Sequence, residues 1–274
     1  MLIYEPSIAR LGTLAAVFSP SRHMGIYPVV YHSLAVKGMS QCVLRNARYS
    51  ELPEVAHVMA KAFWDDNLFG DLIHPHREEY PDDVDLYWLR RARVSFWNHR
   101  WHFIVAVDKD ETGHDTIVGI ALWARLGEGG KQPRGLHWDF RHLLKPLSSL
   151  AMTVHAWLWP NRASDTITED IVERSYPYFS TLWADKRAES WFLDVLAVRP
   201  DFQGKGVGRK LVQWGLGKAE ADGVCASVIS AFGKEGFYSK CGFDEQYGSA
   251  TQGEGNPLAG IKGGNIYWRG IREE

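Results

Sequence analysis

Three features of this chain could do chemistry together: a glycine-rich turn, a phenol downstream of it and a carboxylate just upstream. The turn is Gln203-Gly204-Lys205-Gly206-Val207-Gly208. Glycines allow tight backbone bends, so several N–H groups can be aimed at one point. A helix starting there adds its unpaired first-turn amides and the positive end of its dipole, which suits a phosphate or pyrophosphate. Spacing narrows the ligand. A phosphate-binding P-loop needs Lys-Ser/Thr after the last glycine, and here Gly208 is followed by Arg209-Lys210. The dinucleotide pattern Gly-x-Gly-x-x-Gly fails in both registers, ending on Leu211 or on Arg209. Asp194 stands in an otherwise apolar run, where a lone carboxylate is costly unless it is paired or functional. Tyr238 supplies a phenol that could donate a proton, or simply fill a half-buried site.

The elements that must position these groups are legible around them. Trp191 to Val198 reads as a buried strand, and Arg199-Pro200 ends it because proline cannot extend a ladder. After the glycines, Leu211, Val212, Gly215, Leu216 and Ala219 recur at helical spacing until Asp222-Gly223 stops the helix. Ala226 to Ser230 is a second short strand, followed by a helical stretch containing Tyr238 and closing on Gly242-Phe243.

Gln-x-x-Gly-x-Gly after a Val-x-Pro strand end, followed by a tyrosine four residues before Gly-Phe, resembles the GCN5-related N-acetyltransferase (GNAT) superfamily. The resemblance covers Trp191 to Phe243 and, more loosely, Cys42 to Arg125. It implies an α/β (α+β) GNAT fold. That fold has a mixed, mostly antiparallel central sheet of six to seven strands, splayed at the acyl-coenzyme A site and flanked by helices. It implies acetyl-CoA as co-substrate, no metal, and direct attack of an amine on the thioester in a ternary complex. By motif, backbone groups of Gln203, Gly204, Lys205, Gly206, Val207, Gly208 and Arg209 would hold the pyrophosphate. Leu196, Ala197 and Val198 would pair with the pantetheine arm, one N–H polarising the thioester carbonyl. Tyr238 would protonate the departing thiolate; a free phenol near about 10 and a thiol near about 8.5 need little tuning for that transfer. Asp194 would be the base, its alternative being a structural acceptor for Trp or Tyr side chains. Phe63, Asp65 and Asp66, after the first helix, would line the acceptor pocket and suit an aromatic amine or a cationic polyamine. The chain departs from the pattern by carrying Ala231 and Lys234 where relatives place Asn or Ser and a small residue, with Ser230 one position off.

The rest of the chain sets the frame. Gln41 to Arg45 reads as a strand, and Ser50 as the cap of a helix striped by Leu52, Val55, Met59 and Phe63. A helix runs from Asp82-Asp83 to about Asn98, with Trp88, Phe96 and Trp97 on its apolar side. An apolar hairpin follows over Trp101 to Asp108 and Ile117 to Leu126, and Gly119 within it permits close approach of a neighbour. His74 and His76, bracketing Pro75, read as loop residues and not as metal ligands. Residues 127–189, between strands 3 and 4, are too many for a structureless connection and read as a helical insertion over the acceptor side. Its helical pieces are Leu143 to Trp159 and Thr168 to Tyr178. Gly248 to Gly264 reads as a mobile loop before a last strand, Asn265 to Arg269.

Residues 1–38 are basic with an apolar patch, Leu11 to Phe18, and read as an extension; the GNAT domain is expected over 39–274. The extension is expected to be disordered, or to be a targeting segment or one added by a start upstream of Met39. Net charge of −2 gives no bulk attraction to nucleic acid or to an anionic membrane. Three cysteines cannot all pair internally and no Asn-x-Ser/Thr acceptor occurs, which leans towards a reducing, cytoplasmic location; residues 1–38 could instead be a mitochondrial presequence. Leu147 to Trp159 is too short and too polar to span a bilayer. The expected partner is a small-molecule amine, with no nucleic acid and no membrane, for a monomer or homodimer. The alternatives are another acyl-CoA donor, or a non-catalytic module that binds or senses acyl-CoA.

Overall fold

The computed structural model describes residues 42–109, 115–131 and 141–270, apart from the side chain of His142. The expectations for 1–38 lie outside the described residues. In chain order the elements are β1 (Val43–Asn46), α1 (Leu52–Ala62), α2 (Pro81–Phe96), β2 (Trp101–Lys109), β3 (Asp115–Arg125), α3 (Arg141–Leu158), α4 (Ile171–Phe179), β4 (Ser190–Val198), α5 (Val207–Asp222), β5 (Cys225–Ala231), α6 (Glu235–Cys241), β6 (Glu245–Ser249) and β7 (Gly263–Arg269). The strands form one seven-stranded sheet in the order β1-β2-β3-β4-β5-β7-β6, antiparallel except for the β4–β5 pair. This is the mixed, mostly antiparallel sheet that the resemblance implies.

Two apolar layers clothe the sheet because its central strands are buried on both faces. Val105, Ile120, Val195 and Ala197 pack under α1, α2 and α4, while Ala121, Leu193, Leu196 and Val198 pack under α5 and α6. The expected stripes drive this. Leu52, Val55 and Met59 of α1, and Leu211, Val212, Leu216 and Ala219 of α5, are all buried. Burying side chains of this size contributes about 1.5–3 kcal/mol each.

Local starts and turns differ from expectation in two places. Ser50 lies inside a 3-10 turn, Tyr49–Glu51, and does not cap α1. Glu51 closes that turn instead, accepting from the Arg48 N–H at 2.7 Å and pairing with Arg45 at 2.8 Å. The stretch from Gly248 to Gly264 is no loose loop. Ala250 N–H bonds to the Gly264 carbonyl, and buried Asn256 donates to the carbonyls of Ala250 and Gln252, stapling the loop from inside. Its first two residues, Gly248 and Ser249, end β6, and Ser249 pairs with Asn265 of β7.

Between β3 and β4 the chain makes α3 and α4. Helix α3 lies against α2, with Ser148 Oγ donating to the Arg93 carbonyl at 3.1 Å and Arg90 Nε donating to His155 Nδ1 at 3.1 Å. Its outer face leaves Leu143, Leu147, Leu150 and Trp157 exposed. Helix α4 contributes Ile171, Val172 and Phe179 to the same core as α1 and α2. Among the described residues, no helix is long and apolar enough to cross a membrane.

His74 is fully buried, and its Nδ1–H donates to the Phe69 carbonyl at 2.6 Å. Burial pushes its pKa down to about 4, so the fold holds the neutral ring. A histidine of ordinary pKa in the unfolded chain binds its proton first as pH falls. Stability is therefore complete above about pH 6.5 and declines towards pH 4, by up to about 3 kcal/mol. Urea unfolding at pH 7.5 and 4.5 should show this loss, and His74→Gln, which keeps a donor without a titrating ring, should flatten it.

Candidate functional site

The site begins where β4 and β5 part. They pair in parallel from Ser190↔Cys225 to Leu193↔Val228 and no further, although β4 continues to Val198 and β5 to Ala231. A bulge accompanies the parting. Leu122 pairs with Val195 and Trp123 with Leu193, so Asp194 is the extra residue on β4. A bulge turns the strand locally and re-aims a side chain.

Beyond the bulge, the Arg199 N–H bonds back to the Val118 carbonyl of β3. Because the backbone alternates with a period of two, the N–H groups of Leu196 and Val198 face away from β3, into the open wedge. Ala197 faces β3. Gln203 braces the end of the strand, its Nε2 donating to the Val198 carbonyl at 3.1 Å. The side chain of Gln203 is thus spent on the protein, leaving only its backbone near a ligand.

The loop that follows has the amide geometry that its glycines suggest. Gly204 and Gly206 both take positive φ, 75° and 84°. The first bond of α5 runs from the Lys210 N–H to the Gly206 carbonyl. The amides of Gly206, Val207, Gly208 and Arg209 therefore precede the helical ladder and are offered at its positive end. Gly204, Lys205, Gly206 and Arg209 are exposed, and a Cβ on Gly206 would meet nothing within 4 Å. Gly119 holds α5 close to the sheet, since a Cβ there would stand 3.1 Å from Leu211 Cδ1 and 3.2 Å from Val207 Cγ1. This cradle of free amides, beside the unpaired edge of β4, fits a pyrophosphate with an extended amide-bearing arm.

Tyr238 lies on the other side of the wedge, in α6. It is fully buried against Phe237 and Phe243, and its hydroxyl has no hydrogen-bond partner. Burial raises its pKa well above the ordinary phenol value. The near-matched proton transfer that free-solution values imply does not hold at this buried position, where the phenol is held neutral. Ser230 Oγ is turned to the Ala231 carbonyl at 3.0 Å.

Asp194 is fully buried on the α1–α2 face. It borders a cavity of about 10 Å³ together with Met59, Trp88, Arg91, Ser95 and Phe103, room for a single water. Arg91 of α2 pairs with Glu173 of α4 at 2.6 Å. Burial opposes the charge of Arg91, and Glu173, Tyr87 and Asp194 more than offset it, holding the guanidinium firmly ionised. Nothing in the sequence marked Arg91 or Glu173. Both look like ordinary charges on amphipathic helices.

The residues expected to line the acceptor pocket are not brought together as a wall. Phe63 is core, stacked on Trp88 at 5.0 Å between centroids and edge-on to Phe69 at 5.2 Å. Asp65 is exposed. Asp66 caps the π-helical turn Asn67–Ile73, accepting from the N–H groups of Leu68 and Phe69 at 2.9 Å each. Burial raises the pKa of its carboxyl, against the two amides and the charge of Lys234. Lys234, just before α6, is lowered by burial and partly restored by Asp66. The α1–α2 turn and the β5–α6 turn thus face each other, a meeting that the sequence did not suggest.

Residues 173–245 match the family model for the acetyltransferase (GNAT) domain. No curated protein matches the chain. In fold it is similar to a histone acetyltransferase and related acetyltransferase from Corynebacterium glutamicum, at 16% identity and a TM-score of 0.50, over 85% of this chain and 98% of that one. A second similar structure is an arylalkylamine N-acetyltransferase from Aedes aegypti, at 14% identity and a TM-score of 0.46, over 85% of this chain and 100% of that one.

Proposed function

We propose that the chain uses its GNAT acetyltransferase domain to move an acetyl group from acetyl-CoA to the amine of a small molecule. The observation that carries this reading is the unzipping of β4 from β5 after Leu193↔Val228, with the free amides of Gly206 to Arg209 at its mouth. The co-substrate supplies an activated acyl carbon and a thiolate leaving group. The protein's own part is to hold, polarise and move protons. The amides of the Gln203–Arg209 loop take the diphosphate, with Lys205, Arg209 and Lys210 adding positive charge that counts for little each when exposed. The Leu196 and Val198 N–H groups pair with the amide-bearing arm. One of them donates to the thioester oxygen, a contribution of a few kcal/mol as charge develops there.

Asp194 accepts the amine proton, directly or through the water its cavity can hold, as the nitrogen bonds to the acyl carbon. Tyr238 donates to the departing sulfur, whose arrival gives the orphaned phenol its missing partner. With its pKa raised by burial, the phenol acts as a firm hydrogen-bond donor in the resting protein. A small acceptor is favoured because Asp194 is fully buried, behind Met59 of α1 and Trp88 and Arg91 of α2.

A panel of amines incubated with acetyl-CoA, read by mass spectrometry and by release of free thiol, tests this. Acetylated product together with thiol is the expected result; no turnover with any amine, despite tight acetyl-CoA binding, would leave a sensing module instead. A second measurement addresses the cradle. Gly206→Ala forces a side chain into positive φ, costing about 1 kcal/mol of stability, and places a methyl at the mouth of the loop. Calorimetric affinity for acetyl-CoA should weaken by roughly tenfold, and unchanged affinity would move the diphosphate elsewhere.

A further inference from the structure

The insertion between β3 and β4 reaches the candidate base through one half-buried arginine. Arg91 projects from α2 into the cavity that Asp194 borders, and the residue that holds it is Glu173 of α4, at 2.6 Å. The guanidinium is spent on Glu173 through Nη1, while Nε and Nη2 are buried without a hydrogen-bond partner. Trp88 Nε1 and Ser95 Oγ, which line the same cavity, are likewise buried and unpartnered. A cluster of donors thus surrounds the carboxylate side of the cavity, and its one fixed charge is anchored from α4.

We infer that Glu173 is a positioning residue: by anchoring Arg91 at the cavity that Asp194 borders, it sets the charge that the Asp194 carboxylate feels as an acceptor amine delivers its proton. This rests on Asp194 as the proton acceptor proposed above. Several titratable groups lie around Asp194. From α2 come Arg91 and Tyr87, and from α4 come Glu173 and Tyr176, all electrostatically coupled to it or to Arg91. In the cavity, α1 presents Met59, β2 Phe103 and β3 Leu122, none of which titrates. Arg100 stands by Tyr176. The sign of each perturbation follows. Glu173 competes for Arg91 and repels Asp194, so removing its charge makes the Asp194 carboxyl more acidic. Removing Arg91 makes it less acidic.

The test uses the full chain labelled with carbon-13 at the aspartate carboxyl, with Asp194→Asn to assign the resonance. Carboxyl titrations are then followed by NMR in the native chain, in Glu173→Gln and in Arg91→Met. The Asp194 midpoint should fall by about one pH unit in Glu173→Gln and rise by about one unit or more in Arg91→Met. The acid limb of kcat/KM should move with it in the same two directions. Opposite displacements are something that loosened packing would not produce. If Arg91→Met fails to fold, Glu173→Gln carries the test, since it keeps shape and hydrogen-bonding capacity. An unmoved midpoint in Glu173→Gln overturns the inference. A midpoint that moves while the rate profile stays fixed upholds the anchoring and removes Asp194 from proton transfer.

Discussion

Tyr238→Phe should make the protein a far poorer catalyst while leaving it as stable as before, or more so. Turnover should fall by about 100-fold or more, the usual contribution of a positioned proton donor. Affinity for acetyl-CoA should stay within about twofold, because the diphosphate and the amide arm are held elsewhere. The stability half comes from the hydroxyl itself. It is fully buried and has no partner, and such a group costs about 1–3 kcal/mol of desolvation. Phenylalanine keeps the ring contacts with Phe237 and Phe243 and removes that cost, so Tm should rise or hold. Burial keeps the phenol protonated at and well above neutral pH, so its donor role adds no pH limb to the rate near neutrality. Paired turnover and melting measurements check this. Turnover equal to the native value would show a tyrosine retained for packing alone, and a lower Tm would show a hydroxyl that stabilises the fold through a partner of its own.

The strand–loop–helix unit was legible because three local signals agree there. An apolar run fills β4, glycines sit at positive φ, and Leu211 to Ala219 recur at helical spacing. The hairpin of β2 and β3 was legible for the same reason, being local. What the sequence hid is long-range. Asp194 could be flagged as a lone carboxylate, but its position in a bulge depends on the register of β3 against β4, and registers are set by whole strands. Arg91 and Glu173 are joined only when α4 folds back onto α2, so neither stands out on its own helix. An aromatic at the end of a helix, such as Phe63, reads equally as pocket wall or as core, and its stack on Trp88 is long-range. The carboxylate of Asp66 is likewise used by the backbone that it caps, which no local pattern announces. Gly248 to Gly264 shows the limit of composition. Many glycines suggest mobility, yet Asn256 and buried Leu258 tie that segment down.

Asp194→Asn should separate proton acceptance from scaffolding by the shape of a pH profile. Asparagine is close in size and keeps a carbonyl towards the cavity, but it takes no proton. The acceptor amine must then lose its proton to solvent before attack. For an amine near the lysine value of about 10.4, the free-base fraction grows about tenfold per pH unit up to that point. At neutral pH the variant should be slower by about 10²–10⁴-fold. That gap should close by roughly tenfold with each unit of rising pH, as solvent takes over the task. Stability should fall by about 1–3 kcal/mol, because Arg91 loses one of the two anions that balance it and keeps only Glu173. A rate deficit that stays constant from neutral to alkaline pH would mean that Asp194 serves Arg91 and the bulge, with proton removal done by another group. A deficit that vanishes as the amine deprotonates itself would fix the carboxylate as the group that receives the proton.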